Sequence, residues 1–83
     1  MSRGKSLHVL YFAAFSDATG KREETWMSGA ATAAELYQEI AARYGFPFDR
    51  SVLGVACNDQ VVEWDAELRD GDSVAFLAPF AGG

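Results

Sequence analysis

The side chains of this sequence that could do chemistry are few and scattered: one histidine, His8, one cysteine, Cys57, and a run of carboxylates after residue 50. Nucleophilic catalysis needs a nucleophile beside a base, and His8 has neither a Ser or Cys partner nor a second ligand at a recognisable spacing. Cys57 has no His or Lys near it in sequence and reads as a buried strand thiol. Asp65, Glu67, Asp70 and Asp72 superficially resemble a calcium loop, but the glycine and the distal glutamate miss the required offsets, so a solvated turn is expected. Thr19-Gly20-Lys21 is no phosphate loop, because Phe15 stands where the first glycine is needed and Arg22 replaces the hydroxyl residue. No metal site and no cofactor bound by this chain is expected.

The remaining candidate is main chain. The sequence ends Pro79-Phe80-Ala81-Gly82-Gly83, and two final glycines arise by chance at about 0.5%, taking glycine at roughly 7% of residues. Glycine lacks a Cβ, so such a tail can thread a narrow channel and offer its α-carboxylate to another protein's active site. Adenylation would turn that carboxylate into a mixed anhydride that a sulfur or nitrogen nucleophile can displace. Pro79 would stiffen the exit from the last strand and project the tail away from the sheet.

The elements that must position this tail can be read from periodicity. Leu7, Val9 and Tyr11 alternate with His8, Leu10 and Phe12, so a strand with two largely apolar faces is predicted. Asp17-Ala18-Thr19-Gly20 reads as a turn leading through a hairpin into a polar edge strand, Lys21 to Met27. Thr32 and Glu35 form a capping-box pattern, and Leu36, Ile40 and Tyr44 with Ala33, Tyr37 and Ala41 give an apolar stripe that leaves Glu35, Glu39 and Arg43 wet. Gly45 and Pro47 end that helix. Leu53 to Cys57 and Val61 to Trp64 around Asn58-Asp59-Gln60 predict a second hairpin, and Asp70-Gly71 turns the chain into a last strand, Ser73 to Ala78. The order is β-β-α-β-β-β: an α+β, β-grasp or ubiquitin-like arrangement in which a mixed sheet packs on one main helix.

If Val9, Tyr11, Val74 and Phe76 face the helix, alternation places Leu10, Phe12, Ala75 and Leu77 on the other face of central strands. A contiguous apolar patch there reads as a protein interface. The alternative is that loops such as Phe46-Pro47-Phe48 cover it.

Length and charge fit this picture. Eighty-three residues make one domain, with residues 1–6 and 79–83 as its flexible ends. The net charge is −5, and all of the excess lies after residue 50, where Asp59, Glu63, Asp65, Glu67, Asp70 and Asp72 face only Arg69. Nucleic acid is therefore excluded as a partner, and a basic protein surface is expected. Arg3, Lys5 and the apolar run Leu7 to Phe15 imitate a secretory signal, but His8 interrupts the run and Phe15-Ser16-Asp17-Ala18 is a poor cleavage site. Nine residues are too few to span a bilayer. A single cysteine and no membrane segment favour the cytosol.

Leu68-Arg69-Asp70-Gly71-Asp72-Ser73-Val74-Ala75-Phe76-Leu77-Ala78-Pro79-Phe80-Ala81-Gly82-Gly83 resembles the C-terminal signature of the molybdopterin synthase small-subunit family, within the ubiquitin-like sulfur carriers. Val9-Leu10-Tyr11-Phe12-Ala13 looks like that family's first strand. The resemblance implies a chain that is not catalytic alone. It implies that an ATP-using activating enzyme adenylates Gly83, that a sulfur donor protein converts it to a thiocarboxylate, and that Gly82 lets the tail pass into the large synthase subunit. There the sulfur is transferred to cyclic pyranopterin monophosphate, in two transfers that build a dithiolene. It also implies an assembly of two small and two large subunits, with Phe12, Val61 and Leu77 facing the partner and Pro79, Phe80 and Ala81 of the tail binding it too. Ala78 departs from the pattern, which commonly has two prolines before the tail. A carrier for thiamine thiazole synthesis, a ubiquitin-like modifier and a plain β-grasp interaction module remain alternatives.

Overall fold

In the computed structural model, which describes residues 4–78, the first apolar run forms β1 (Lys5–Leu10). Leu7 and Val9 point inward and are fully buried, while His8 and Leu10 lie on the other face, half-buried. The strand starts two residues earlier than the sequence reading placed it. Lys5 and Ser6, expected in a flexible segment, belong to the sheet, and Lys5 Nζ donates to the Ala30 carbonyl at 2.9 Å.

β1 pairs antiparallel with β2 (Glu23–Ser28), but the connection is not a hairpin turn. A six-residue helix, α1 (Ala14–Thr19), intervenes, capped by Gly20 at φ 73°. It has no side-chain N-cap, and so short a helix is not stable by itself. Phe15 fixes it: the ring is fully buried and meets Phe46, Phe48 and Phe76 at centroid distances of 5.2, 5.0 and 5.9 Å. Tertiary burial of one aromatic therefore decides an element that the local Asp-Ala-Thr-Gly signal reads as a turn.

The main helix, α2 (Ala33–Tyr44), forms where the capping pattern places it. Thr32 Oγ1 accepts from the Glu35 amide at 3.3 Å, Glu35 Oε1 accepts from the Ala31 amide at 3.0 Å, and Gly45 closes the helix at φ 68°. Ala33, Leu36, Tyr37 and Ile40 form its buried stripe. A 3-10 turn (Arg50–Val52) leads into β3 (Gly54–Cys57), β4 (Gln60–Val62) and β5 (Ser73–Leu77). The second hairpin is tighter than predicted: Cys57 pairs with Gln60 across the two-residue turn Asn58-Asp59. Trp64, expected in the fourth strand, instead stacks on Phe76 at 6.2 Å and meets Tyr37 edge-on at 5.6 Å.

The strands lie in the order β2-β1-β5-β3-β4, with β1 and β5 parallel and every other pair antiparallel. This is the β-grasp arrangement, with β2 at an edge as its polar composition implied. Leu7, Val9, Tyr11, Val55, Val74 and Phe76 meet Leu36, Tyr37 and Ile40 in one core.

One polar knot ties the β2 edge to α2. Glu24 Oε2 accepts from the hydroxyls of Tyr11 and Tyr44, both at 2.6 Å, and Lys21 Nζ donates to Glu24 Oε1 at 3.0 Å and Tyr44 Oη at 3.1 Å. Burial alone would raise the Glu24 pKa, but the two hydroxyls and the ammonium outweigh it and hold the carboxyl below its ordinary value. A carboxyl depressed in the folded state contributes stability that is complete above its unfolded pKa near 4.5 and is lost as pH falls through the folded value. Glu24→Gln should therefore cost about 1–3 kcal/mol at neutral pH. It should also shrink the stability difference between pH 6 and pH 3, read by urea unfolding at each pH.

Candidate functional site

The sheet face away from α2 carries the apolar residues that alternation had left over. The register places Glu23, Leu10, Ala75, Ala56 and Val61 in one row across all five strands, each paired with the next. Cross-strand partners share a face, so these side chains project together. Along β5 the next residue on this face is Leu77, opposite Gly54. A Cβ at Gly54 would sit 3.7 Å from the Leu77 Cβ, so glycine leaves that flank of Leu77 open.

Leu10, Phe12, Ala56, Asp59, Ser73, Ala75 and Leu77 line an open groove of about 160 Å³. Ala56 and Ala75 are its floor because they are the small residues of the central strands. Ala75 is only 7% exposed, while Phe12 is 53% exposed at the rim and Val61 77% exposed at the far end of the row. The Phe46-Pro47-Phe48 loop does not cover this face: Phe46 and Phe48 turn to the helix side and pack on Phe15.

The structure thus brings Phe12 and Leu77 to one groove and sets Val61 on the same face, two strands from β5. Ala56, Ser73 and Asp59 are lining residues the sequence reading missed, and the signal for them is the length of the Asn58-Asp59 turn, which fixes the register Ala56 to Val61. Pro79, Phe80, Ala81, Gly82 and Gly83 lie outside the described residues. The last described residue, Ala78, follows Leu77 directly, so the chain leaves the sheet at the groove's rim.

Among the described residues the titratable side chains near this face are not arranged as a nucleophile beside a base. His8 Nε2 contacts Glu23 Oε1, and both groups are well exposed. Cys57 is half-buried rather than buried, and burial together with the Asp72 carboxylate pushes its thiol pKa up, which leaves it protonated and weakly nucleophilic. Asp72 accepts from the Arg69 amide at 2.8 Å and the Asn58 side-chain amide at 3.0 Å, which hold its pKa down. Asp70 accepts from the Ser6 amide at 2.7 Å. Two of the loop's four acids thus bond backbone amides, one in β1 and one in the loop itself. Among the described residues no group of three His, Cys, Asp or Glu is placed to hold a metal ion, and no helix is long and apolar enough to cross a membrane.

Comparison with known proteins decides which family this face belongs to. The family model described as the ThiS family matches residues 9–83. The chain belongs to the ThiS family. Within reach of this ThiS-family chain is the molybdopterin synthase sulfur carrier subunit of Escherichia coli (strain K12), 32% identical over 80 residues that cover 93% of this chain and 99% of that protein. Among solved structures, the putative molybdopterin converting factor subunit 1 of Pyrococcus furiosus superposes with a TM-score of 0.74 at 30% identity, covering 90% of this chain and 98% of that one. A protein-protein complex of subunits 1 and 2 of the molybdopterin-converting factor from Helicobacter pylori contains a chain matching at TM-score 0.63 and 25% identity, over 94% of this chain and 99% of that one. The family match runs through Gly83, and the ubiquitin-like β-grasp fold of this ThiS-family member agrees with its neighbours.

Proposed function

We propose that this chain is the sulfur-carrier small subunit of a molybdopterin synthase, acting in the cytosol during molybdenum cofactor biosynthesis. The observation that carries the reading is the open apolar groove at the exit of β5, on a chain homologous along nearly its whole length to a molybdopterin synthase sulfur carrier. An isolated sheet would cover or polarise that face; a subunit docks it.

The chemistry is done to the tail by partners. The Gly83 carboxylate attacks the α-phosphate of ATP on an activating enzyme, pyrophosphate leaves, and an acyl adenylate forms. Hydrosulfide delivered by a donor protein attacks the acyl carbon, the bond to AMP breaks, and a thiocarboxylate is left. The tail, with Gly82 small enough for the channel, then enters the large subunit, where the sulfur attaches to cyclic pyranopterin monophosphate and water cleaves the acyl–sulfur bond, returning the tail to a carboxylate. Phe12, Val61 and Leu77 seat the large subunit, and Pro79, Phe80 and Ala81 of the tail bind it as well; two carriers serve two large subunits. The chain itself binds no cofactor. Cys57 supports this division of labour, because a thiol held protonated beside Asp72 is a poor place to load sulfur.

The molybdopterin branch is preferred over thiamine thiazole synthesis because the relatives above are molybdopterin proteins. The modifier reading needs a lysine acceptor. For self-conjugation, the two lysines are Lys5 and Lys21: Lys5 is bonded to Ala30, and Lys21 is held protonated by Tyr44 and Glu24. Incubating the full chain with ATP, its activating enzyme and a sulfur source should create one site for a thiocarboxylate-selective reagent, in the C-terminal peptide. Isopeptide adducts on lysine with no reagent-reactive tail would replace the carrier by a modifier.

A further inference from the structure

Among the described residues three non-glycine residues have positive φ: Ala13 at 48°, Asn58 at 52° and Asp59 at 70°. Asp59 lines the outer groove, and the other two are chain neighbours of lining residues. Ala13 follows Phe12 on one side, and Asn58-Asp59 is the β3–β4 turn on the other. Unfavourable backbone concentrated at one surface feature is a mark of a site whose geometry is held for use.

Asn58 explains itself locally. A two-residue hairpin turn with both residues left-handed favours Asn followed by Gly. The Asn58 side chain also bonds the last strand, accepting from the Ser73 amide at 3.0 Å and donating to Asp72 at 3.0 Å. Asp59 has no such role. It occupies the glycine position of the turn, lines the groove, is exposed, and makes no hydrogen bond or ion pair with any described residue. Glycine would adopt this backbone with less strain. What glycine could not supply is a carboxylate at the edge of an apolar floor made by Ala56 and Ala75.

We propose that Asp59 is a specificity-determining contact for the large-subunit partner, which seats an apolar side chain between Phe12, Leu77 and the alanine floor and sets a lysine or arginine against Asp59. The inference rests on the carrier reading above and adds the partner's chemistry to it. Among the described residues no lysine or arginine lines the groove, so none of them competes with a partner cation. Closing the interface removes water from the pair and strengthens it, and the chain's net charge of −5 draws a basic surface toward it.

The test measures binding of the full chain to its cognate large subunit at low and high salt. Asp59→Asn keeps a residue that tolerates left-handed backbone, and Asp59→Gly suits the turn better, so neither should lower Tm. Both should weaken binding about tenfold at low salt, with the loss shrinking at high salt, and Asp59→Lys should weaken it by about a hundredfold. Leu77→Asp serves as the control for the docking face. If both neutral variants bind like wild type at low salt while Leu77→Asp does not, the Asp59 proposal is overturned and the carrier reading stands. If Leu77→Asp also binds normally, the docking face itself is wrong. A concentration-dependent dimer of the free chain that Asp59→Asn changes would give the groove to a second copy, and would also overturn the proposal.

Discussion

Deleting Gly82 and Gly83 should abolish dithiolene formation, by more than about a thousandfold, while leaving the domain folded and still bound to the large subunit. The truncated chain keeps a C-terminal carboxylate, now on Ala81, but it is short by two residues of about 3.3 Å each, so the reacting carbon stops about 7 Å from where it is needed. Proximity is the whole contribution of such a tail, and a displacement of this size removes it. Among the described residues the last fully buried side chain is Phe76, six positions before Gly82. Cofactor synthesis in the presence of the large subunit reads the loss, and thermal unfolding with a binding isotherm reads what is kept. Unimpaired synthesis by the truncated protein would remove the carrier account outright.

The second large effect is expected at the groove. Phe12→Asp and Leu77→Asp should weaken large-subunit binding by about a hundredfold or more, because each sets a carboxylate against a surface that the partner dries. Phe12 is 53% exposed and lies outside the core cluster, so Phe12→Asp should shift Tm by no more than a few degrees. Leu77 is more covered, with Gly54 beside it, and some loss of stability is expected there. If both variants unfold to the same degree as they lose binding, the two residues return to the core and the face is not an interface.

Much of this face was legible from alternation alone. Period two in Leu7 to Phe12 and Ser73 to Leu77 separates Val9, Val74 and Phe76 from Leu10, Ala75 and Leu77, and the structure keeps that division because only one face of the sheet meets α2. The capping residues Thr32, Glu35 and Gly45 were equally legible, being local hydrogen-bonding and φ requirements. Helix α1 was not, because nothing within Ala14–Thr19 announces it: Phe15 makes the helix by packing on Phe46, Phe48 and Phe76, residues far away in sequence. Ala56 and Asp59 were hidden for a related reason. Their place at the groove depends on the register of β3 against β4 and β5, and moving the turn by one residue would turn every side chain over. The loop containing Phe46 and Phe48 could have covered either face; the aromatic cluster around Phe15 draws it to the helix side.

The stabilising polar contacts and the proposed activity sit in different places. Glu24, with Tyr11, Tyr44 and Lys21, fastens the edge strand to the helix, on the side of the sheet away from the groove. The carboxylate knot can therefore be weakened, as with Glu24→Gln, without touching the docking surface. Asp59 is the reverse case: its side chain bonds nothing within the described chain, and the loss of its carboxylate should be felt only when a partner is present.

The most direct measurement follows one sulfur atom. Carrier charged at Gly83 with isotopically labelled sulfur is mixed with the large subunit and cyclic pyranopterin monophosphate in a single turnover, and the label is traced in both products. The account predicts that the label leaves the tail and appears in the pterin, with two carriers returned to the carboxylate for each dithiolene formed. Label that stays on Gly83 while dithiolene forms, or that departs with the tail joined to a lysine, would contradict it.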